Sequence, residues 1–372
     1  MKRSAKAPRL AETRREAILE ALRRDGAVRI SELAEATGVT RITIRRDIVQ
    51  LEEEGVVRRV HGGAVLAQER SGAVRNDSHG IPAGSRRIGM LVPSFDYYWP
   101  GVIEGAQQEA AKHGLTVVLR GSSYEADDTL PHVDYLLSRA HAAGLILAPN
   151  MKAAHSAQTL ESLATSGIPM VLVERTAVVG PFHMTVESVV SDHSQGAAIA
   201  MRHLADLGHR RIGLVISGDS PTAPHLRQGW LTARRELGID DLEVVDETVA
   251  SSRESSWGAT VDVILDKCLA LGTTALLVHA DQAAASITQR CEIRGLSVPG
   301  DLSIVAYDDE VAELFTPPLT AVRPPRTSLG RAAVNLLVER IRNPNRPAHN
   351  VVITPSLHVR QTTGSPRSAA AS

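Results

Sequence analysis

Arg46 and Gln50 stand one helical turn apart in the segment Thr40 to Glu53, whose residue types suit reading the edges of base pairs. Arginine presents paired donors to guanine, glutamine pairs with adenine, and methyl groups pack against thymine. At 100° per residue, Ile44, Ile48 and Leu51 share one stripe, with Arg41 and Asp47 at its edges. Ile42, Thr43, Arg46, Val49 and Gln50 take the opposite half, and Arg45 the flank. The bland alternative is a solvated amphipathic helix with two arginines, against which the neighbouring segments weigh.

Those neighbours position the helix. Thr40 suits an N-cap and Gly55 a C′ glycine, which marks roughly four turns between them. Upstream, Arg14 to Leu22 spaces Ile18, Leu19 and Leu22 helically, and Ser31 is expected to cap a short helix carrying Leu33 and Ala34. A turn at Thr37 to Val39 completes a helix-turn-helix. Downstream, Val56 to Val60 suits a strand and His61-Gly62-Gly63 a hairpin turn before Ala64, a wing whose Arg58 and Arg59 reach phosphates or the minor groove.

The segments REAILEAL from Arg15, VRISELA from Val28, VTRITIRRDI from Val39 and RVHGGA from Arg59 together resemble the winged helix-turn-helix of DeoR-type bacterial regulators. The expected unit spans residues 1–66, with a DNA-contacting set of Thr40, Arg41, Ile42, Thr43, Arg45, Arg46, Gln50, Arg58, Arg59 and His61. Charge agrees in sign: 14 basic against 10 acidic residues through Leu66 leave four positive charges there and five negative on the remainder.

At 372 residues the chain has room for a second, larger domain. Cys268 and Cys291 form neither a CxxC nor a Cys/His cluster, so both are expected reduced and partly buried, with no metal site and no cofactor. The N-terminus lacks the apolar core of a signal peptide and no stretch approaches eighteen apolar residues, which predicts a soluble cytoplasmic protein with no membrane partner.

Residues 67–85, rich in Gly, Pro, Ser and charge, read as a linker. Beyond them, apolar runs at Ile88–Val92, Leu115–Leu119, Gly144–Ala148, Met170–Val173, Ile212–Ile216, Ala275–Val278 and Ser303–Ala306 alternate with helix-length segments. That pattern predicts an α/β region of parallel sheets covered on both faces. Residues 363–372 read as a disordered tail.

Seven ordered motifs, among them IGMLVP from Ile88, IPMVLVER from Ile168, DHSQG from Asp192, LGHRRI from Leu207 and VPGDLSIVAYDD from Val298, resemble the sensor of LacI/GalR-type repressors and periplasmic sugar-binding proteins. The resemblance spans residues 86–362 and implies two Rossmann-like subdomains of a periplasmic-binding-protein-like (type I) domain. One would hold about 86–190 and 324–354, the other 191–323 and 355–362, with crossovers near Ser191, Arg323 and Thr354 and a ligand in the cleft.

Sugar recognition needs a flat apolar surface for the ring's C–H face and forked donors or acceptors for neighbouring hydroxyls. In a chain with only 3% aromatics, Tyr97, Tyr98 and Trp99 are consecutive. The resemblance puts Asp96, Tyr98 and Trp99 at a polar and two stacking positions; a loop packed by its own rings is the alternative. Glu174 and Arg175 end the run Met170–Val173, and Asp281 and Asp308 follow strand-like runs, where open α/β sheets bind ligands. Glu174 and Asp308 read equally well as structural ion-pair partners. Two departures alter the polar set: Ala280 stands where relatives usually have Asn, and Leu226 where they have an arginine, leaving Arg227 as the candidate one residue later.

No nucleophile, base and orienter fall at interpretable spacing, so no catalytic residues are expected. The expectation is a transcription regulator, a repressor by type, working as a homodimer on double-stranded operator DNA under control of a small sugar-like effector. Rivals are a solute-binding protein and a sugar- or sugar-phosphate-transforming enzyme.

Overall fold

The computed structural model describes residues 14–15, 17–22, 27–53, 56–60, 63–66, 86–123, 128–250 and 257–367. The chain divides into two compact units, Met1–Asp77 and Ser78–Ser372. The expected linker at 67–85, Gly55, His61 and residues 368–372 lie outside the described residues. No helix among the described residues is long and apolar enough to cross a membrane.

In the first unit, helix Ile30–Thr37 is followed by helix Arg41–Glu53 and by strands Val57–Val60 and Gly63–Leu66. The strands pair antiparallel with Val60 opposite Gly63. Two details differ from expectation. Strand Ala27–Arg29 adds a third member to the wing, pairing Val28 with Ala64; three residues are too few to show an alternation in sequence. The helix also starts at Ile30, which puts Ser31 inside its first turn rather than at its cap. One core of Ile18, Leu22, Val28, Leu33, Ile44, Ile48, Leu51, Val57 and Ala64 joins helices and wing.

The second unit has two lobes. In the first, six parallel strands run in the order Asn350–Ile353, Ser188–Ser191, Met170–Val173, Leu145–Leu147, Arg87–Val92, Thr116–Gly121. The second orders Asp246–Val249, Ile212–Ser217, Ala275–His279, Ser303–Tyr307, Thr320–Arg323 and Ser356–His358, with only the last pair antiparallel. The chain passes between the lobes after Ser191, after Arg323 and between Ile353 and Ser356. At the second passage buried Asp309 holds Arg323 at 2.9 Å and Arg360 at 2.8 Å.

Apolar strands buried on both faces need helices on both sides, and glycine sets how closely those helices approach. Helices Trp99–Lys112 and Arg326–Arg342 pack backbone to backbone in the first lobe. A Cβ at Gly105 would sit 2.1 Å from the Thr327 carbonyl oxygen, and one at Gly330 2.0 Å from that of Val102. Their helix faces therefore accept no side chain.

The expected disordered tail is corrected over residues 363–367. Buried His209 sets Nδ1 2.8 Å from Thr274 Oγ1 and Nε2 2.8 Å from the Gly364 carbonyl oxygen, while Thr363 Oγ1 lies 3.0 Å from His203. A polar, small-residue sequence gives no sign that a distant histidine will anchor it. Cys268 and Cys291 are free and fully within the core of the second lobe.

Candidate functional site

Thr40 caps the helix Arg41–Glu53: its Oγ1 accepts from the Thr43 N–H at 3.3 Å. Ile44, Ile48 and Leu51 are buried beneath, and Asp47, also buried, takes a forked bond from Arg14 at 2.5 and 3.0 Å. That pair fixes the helix's rotation and leaves Arg46 and Gln50 exposed on the outer face, with Thr43 half-buried beside them. Arg41, Ile42, Arg45, Arg58 and Arg59 lie on described backbone, but their side chains, like His61, fall outside the described residues.

In the second unit the carboxyl ends of both sheets face a cleft of two compartments. One, termed inner only for its aromatic walls, has about 340 Å³ and is walled by Tyr97, Tyr98, Trp99 and Arg175 from the first lobe and by Trp257, His279, Gln282 and Asp308 from the second. The other, termed outer, has about 660 Å³ and is walled by Asn150, Met151 and Thr176 against Ser194 and His225. Glu174, Arg175, His193, Asp219, Pro221 and Thr222 border both.

Glu174 is the hub. Its carboxylate accepts from Ser191 N–H at 3.1 Å, Ser191 Oγ at 2.7 Å and the Tyr98 hydroxyl, and lies 3.3 Å from His193 Nε2. Burial alone would raise this carboxyl, but the bond and charge of His193, then Tyr98 and Ser191, prevail and hold it down at about 2. His193 begins the first helix of the second lobe, and its Nδ1 lies 2.9 Å from the Tyr307 hydroxyl, so one imidazole ties the lobes together at the cleft floor. Arg175 is held by its own backbone neighbourhood: Nε donates to Pro149 O at 3.1 Å and Nη1 to Glu174 O at 2.6 Å.

On the opposite wall, burial pushes His279 down to about 4, so its Nε2, 3.7 Å from Asp308 Oδ2, belongs to a neutral ring. Burial raises Asp308 to about 6 against the pull of His193 and Arg326. Buried Trp257 Nε1 and His279 Nδ1 have no hydrogen-bond partner among the described residues.

Of the cleft residues expected from sequence, Tyr98, Trp99, Glu174, Arg175 and Asp308 come together here. Three do not. Asp96 is exposed and lines neither compartment; Tyr97, one residue on, takes the wall position. Asp281 is fully buried and turned away, its carboxylate accepting from the backbone N–H groups of Asp309 at 3.1 Å, Glu310 at 2.7 Å and Val311 at 2.9 Å. Arg227 pairs with Asp246 and donates to Thr248 Oγ1 at 2.7 Å on the outside of the edge strand, because Leu226 beside it fills the core. Sequence reasoning missed His193, Asp219, Trp257, His279 and Gln282. His193 lies within the motif DHSQG and His279 two residues before Asp281, and neither carries a local mark of a cleft position.

Residues 14–70 match the DeoR-like helix-turn-helix domain and residues 201–363 the periplasmic binding protein-like domain. The chain is 30% identical to the HTH-type transcriptional regulator MalR of Streptomyces coelicolor over 91% of its own length and 97% of that protein. Among solved structures, a LacI family regulator from Enterococcus faecium with bound ribose superposes with a TM-score of 0.60 at 23% identity, covering 75% of this chain and 98% of that one. The CelR–cellobiose complex gives 0.62 at 22% identity, covering 88% and 90%. At these identities the two structures speak to the fold.

Proposed function

The chain belongs to the LacI-type family of helix-turn-helix transcription regulators, and from that premise we propose that it represses transcription from an operator it releases when a sugar closes its cleft. The observation that carries the proposal is the Glu174 network, which joins both lobes on the floor of a cleft walled by aromatic rings. Ribose and cellobiose in the two superposed regulators support a sugar as the ligand class. A ligand shifts DNA affinity only by its differential affinity for open and closed states, and contacts to both lobes supply that difference.

In the first unit, Arg46 and Gln50 are assigned to base edges, and Thr43 to a neighbouring contact. Thr40, Arg41, Ile42, Arg45, Arg58, Arg59 and His61 complete the DNA-facing set, with the wing arginines on phosphates. Arg46→Ala should cost about 1–3 kcal/mol at the operator and relax preference at one base pair. Fluorescence anisotropy against operator and scrambled duplexes measures this, and equal binding by mutant and parent refutes the assignment. A homodimer on two half-sites gives one small module enough sequence to recognise; sedimentation of a monomer on DNA would remove that element. Thermal-shift screening with sugars tests the sensor, since a ligand of the folded state raises the melting temperature by mass action.

A further inference from the structure

Resting on the reading of the cleft as the effector site, we propose that the effector is an uncharged glycoside of two sugar rings, one in each compartment. The compartments are consecutive, since they share Glu174, Arg175, His193, Asp219, Pro221 and Thr222. Their walls differ in kind. Of eleven Phe, Tyr and Trp residues in the chain, four line the inner compartment, and the outer has none. The inner space suits one ring stacked by its C–H face. Trp257 Nε1 and His279 Nδ1 are buried in that wall with no hydrogen-bond partner among the described residues, and buried polar atoms left unpaired are rare enough to call for one.

The outer compartment is larger, about 660 against 340 Å³, and presents Asn150 and Thr176 from one lobe to Ser194 and His225 from the other. A single ring held inside leaves these groups in water. A second ring linked to the first reaches them, and adds contacts to both lobes, which are the contacts that favour closure.

Charge selects against an anionic ligand. Glu174, Asp219 and Asp308 border the inner space, while Arg175 already donates two of its N–H groups to Pro149 and Glu174 carbonyls. A phosphate there would face like charges after losing its water. Lys152 stands on the exposed rim of the outer compartment, where solvent screens it.

Calorimetric titration of the full chain tests this with neutral disaccharides (maltose, cellobiose, lactose, trehalose, melibiose), their constituent monosaccharides, glucose 6-phosphate and uridine. One disaccharide should bind at least tenfold more tightly than either constituent and than glucose 6-phosphate. Thr176→Ala with His225→Ala should remove most of that advantage, on protein whose melting and operator binding show it folded. A monosaccharide binding as tightly as every disaccharide overturns the two-ring assignment, tighter binding of glucose 6-phosphate overturns the neutral one, and binding of uridine alone overturns the second sugar ring. Binding of no sugar at all overturns the sugar reading of the cleft itself, which separates the two failures.

Discussion

Glu174 and Asp281 each follow a buried parallel strand, Met170–Val173 in one lobe and Ala275–His279 in the other, and each is almost fully buried. Their surroundings send them opposite ways. Glu174 meets hydroxyls and an imidazole that belong to both lobes, and it borders the cleft. Asp281 meets three backbone N–H groups in succession, from Asp309 to Val311, and is consumed in holding that loop. A carboxylate at a strand end is thus a site group or a structural one according to what donates to it.

Breaking the structural member should have the largest effect. Asp281→Ala leaves three backbone N–H groups without their acceptor, that of Asp309 fully buried, and should cost on the order of 3–5 kcal/mol, read by urea denaturation, with effector affinity of the remaining folded protein little changed. If the mutant is as stable as the parent and has lost only its effector, Asp281 faces the ligand and the contrast collapses.

Glu174→Gln sharpens the other side. An amide oxygen still accepts from Ser191 and Tyr98, so the fold should hold, but the charge facing His193 is gone. Effector affinity should fall by about 2 kcal/mol, roughly thirtyfold, while operator affinity without effector stays near that of the parent. Calorimetry and anisotropy on the same preparation separate the two. Parental effector response in this mutant would detach the network from sensing.

Which of these roles was legible beforehand follows from how far each depends on distant residues. The stripe Ile44, Ile48, Leu51 and the runs Ile88–Val92 or Ala275–Val278 report burial directly through period and composition, so helix, wing and parallel sheets could be read. Edge strands could not: Asp246–Val249 reads DETV, half-exposed and without an apolar run. Glu174 and Arg175 were placed by their position after a strand. Asp281 has the same credentials, and only the loop from Asp309, 28 residues on, decides its direction. His193 and His279 carry no local mark that tells a cleft histidine from a core one.

Asp308 offers a pH test of the second lobe's wall. Burial raises it to about 6 from its ordinary 3.8, with His193 and Arg326 opposing. A carboxyl that holds its proton more tightly when folded adds stability below its unfolded value and loses it as pH rises through the folded one. Relative to Asp308→Asn, the parent should therefore weaken between about pH 4 and pH 7, by on the order of 3 kcal/mol. Denaturation of both proteins across that range measures the difference, and a constant gap shows Asp308 to be unburdened by burial.

Arg227 should give the smallest effect, and its smallness is the point. The guanidinium pairs with Asp246 on the edge of the second lobe, where the two side chains are 31% and 35% exposed. Water and salt screen such a pair, and exposed pairs contribute about 0–1 kcal/mol. Arg227→Ala should accordingly shift stability by less than about 1 kcal/mol, with the shift shrinking further at high salt, and should leave effector affinity where it was. Leu226, buried beside it, holds the core position, so the helix has no freedom to turn Arg227 into the cleft. A tenfold loss of effector affinity in Arg227→Ala would mean that the helix Ala223–Glu236 rotates on closure, and would move the contrast between cleft-facing and structural charges from single side chains to whole elements.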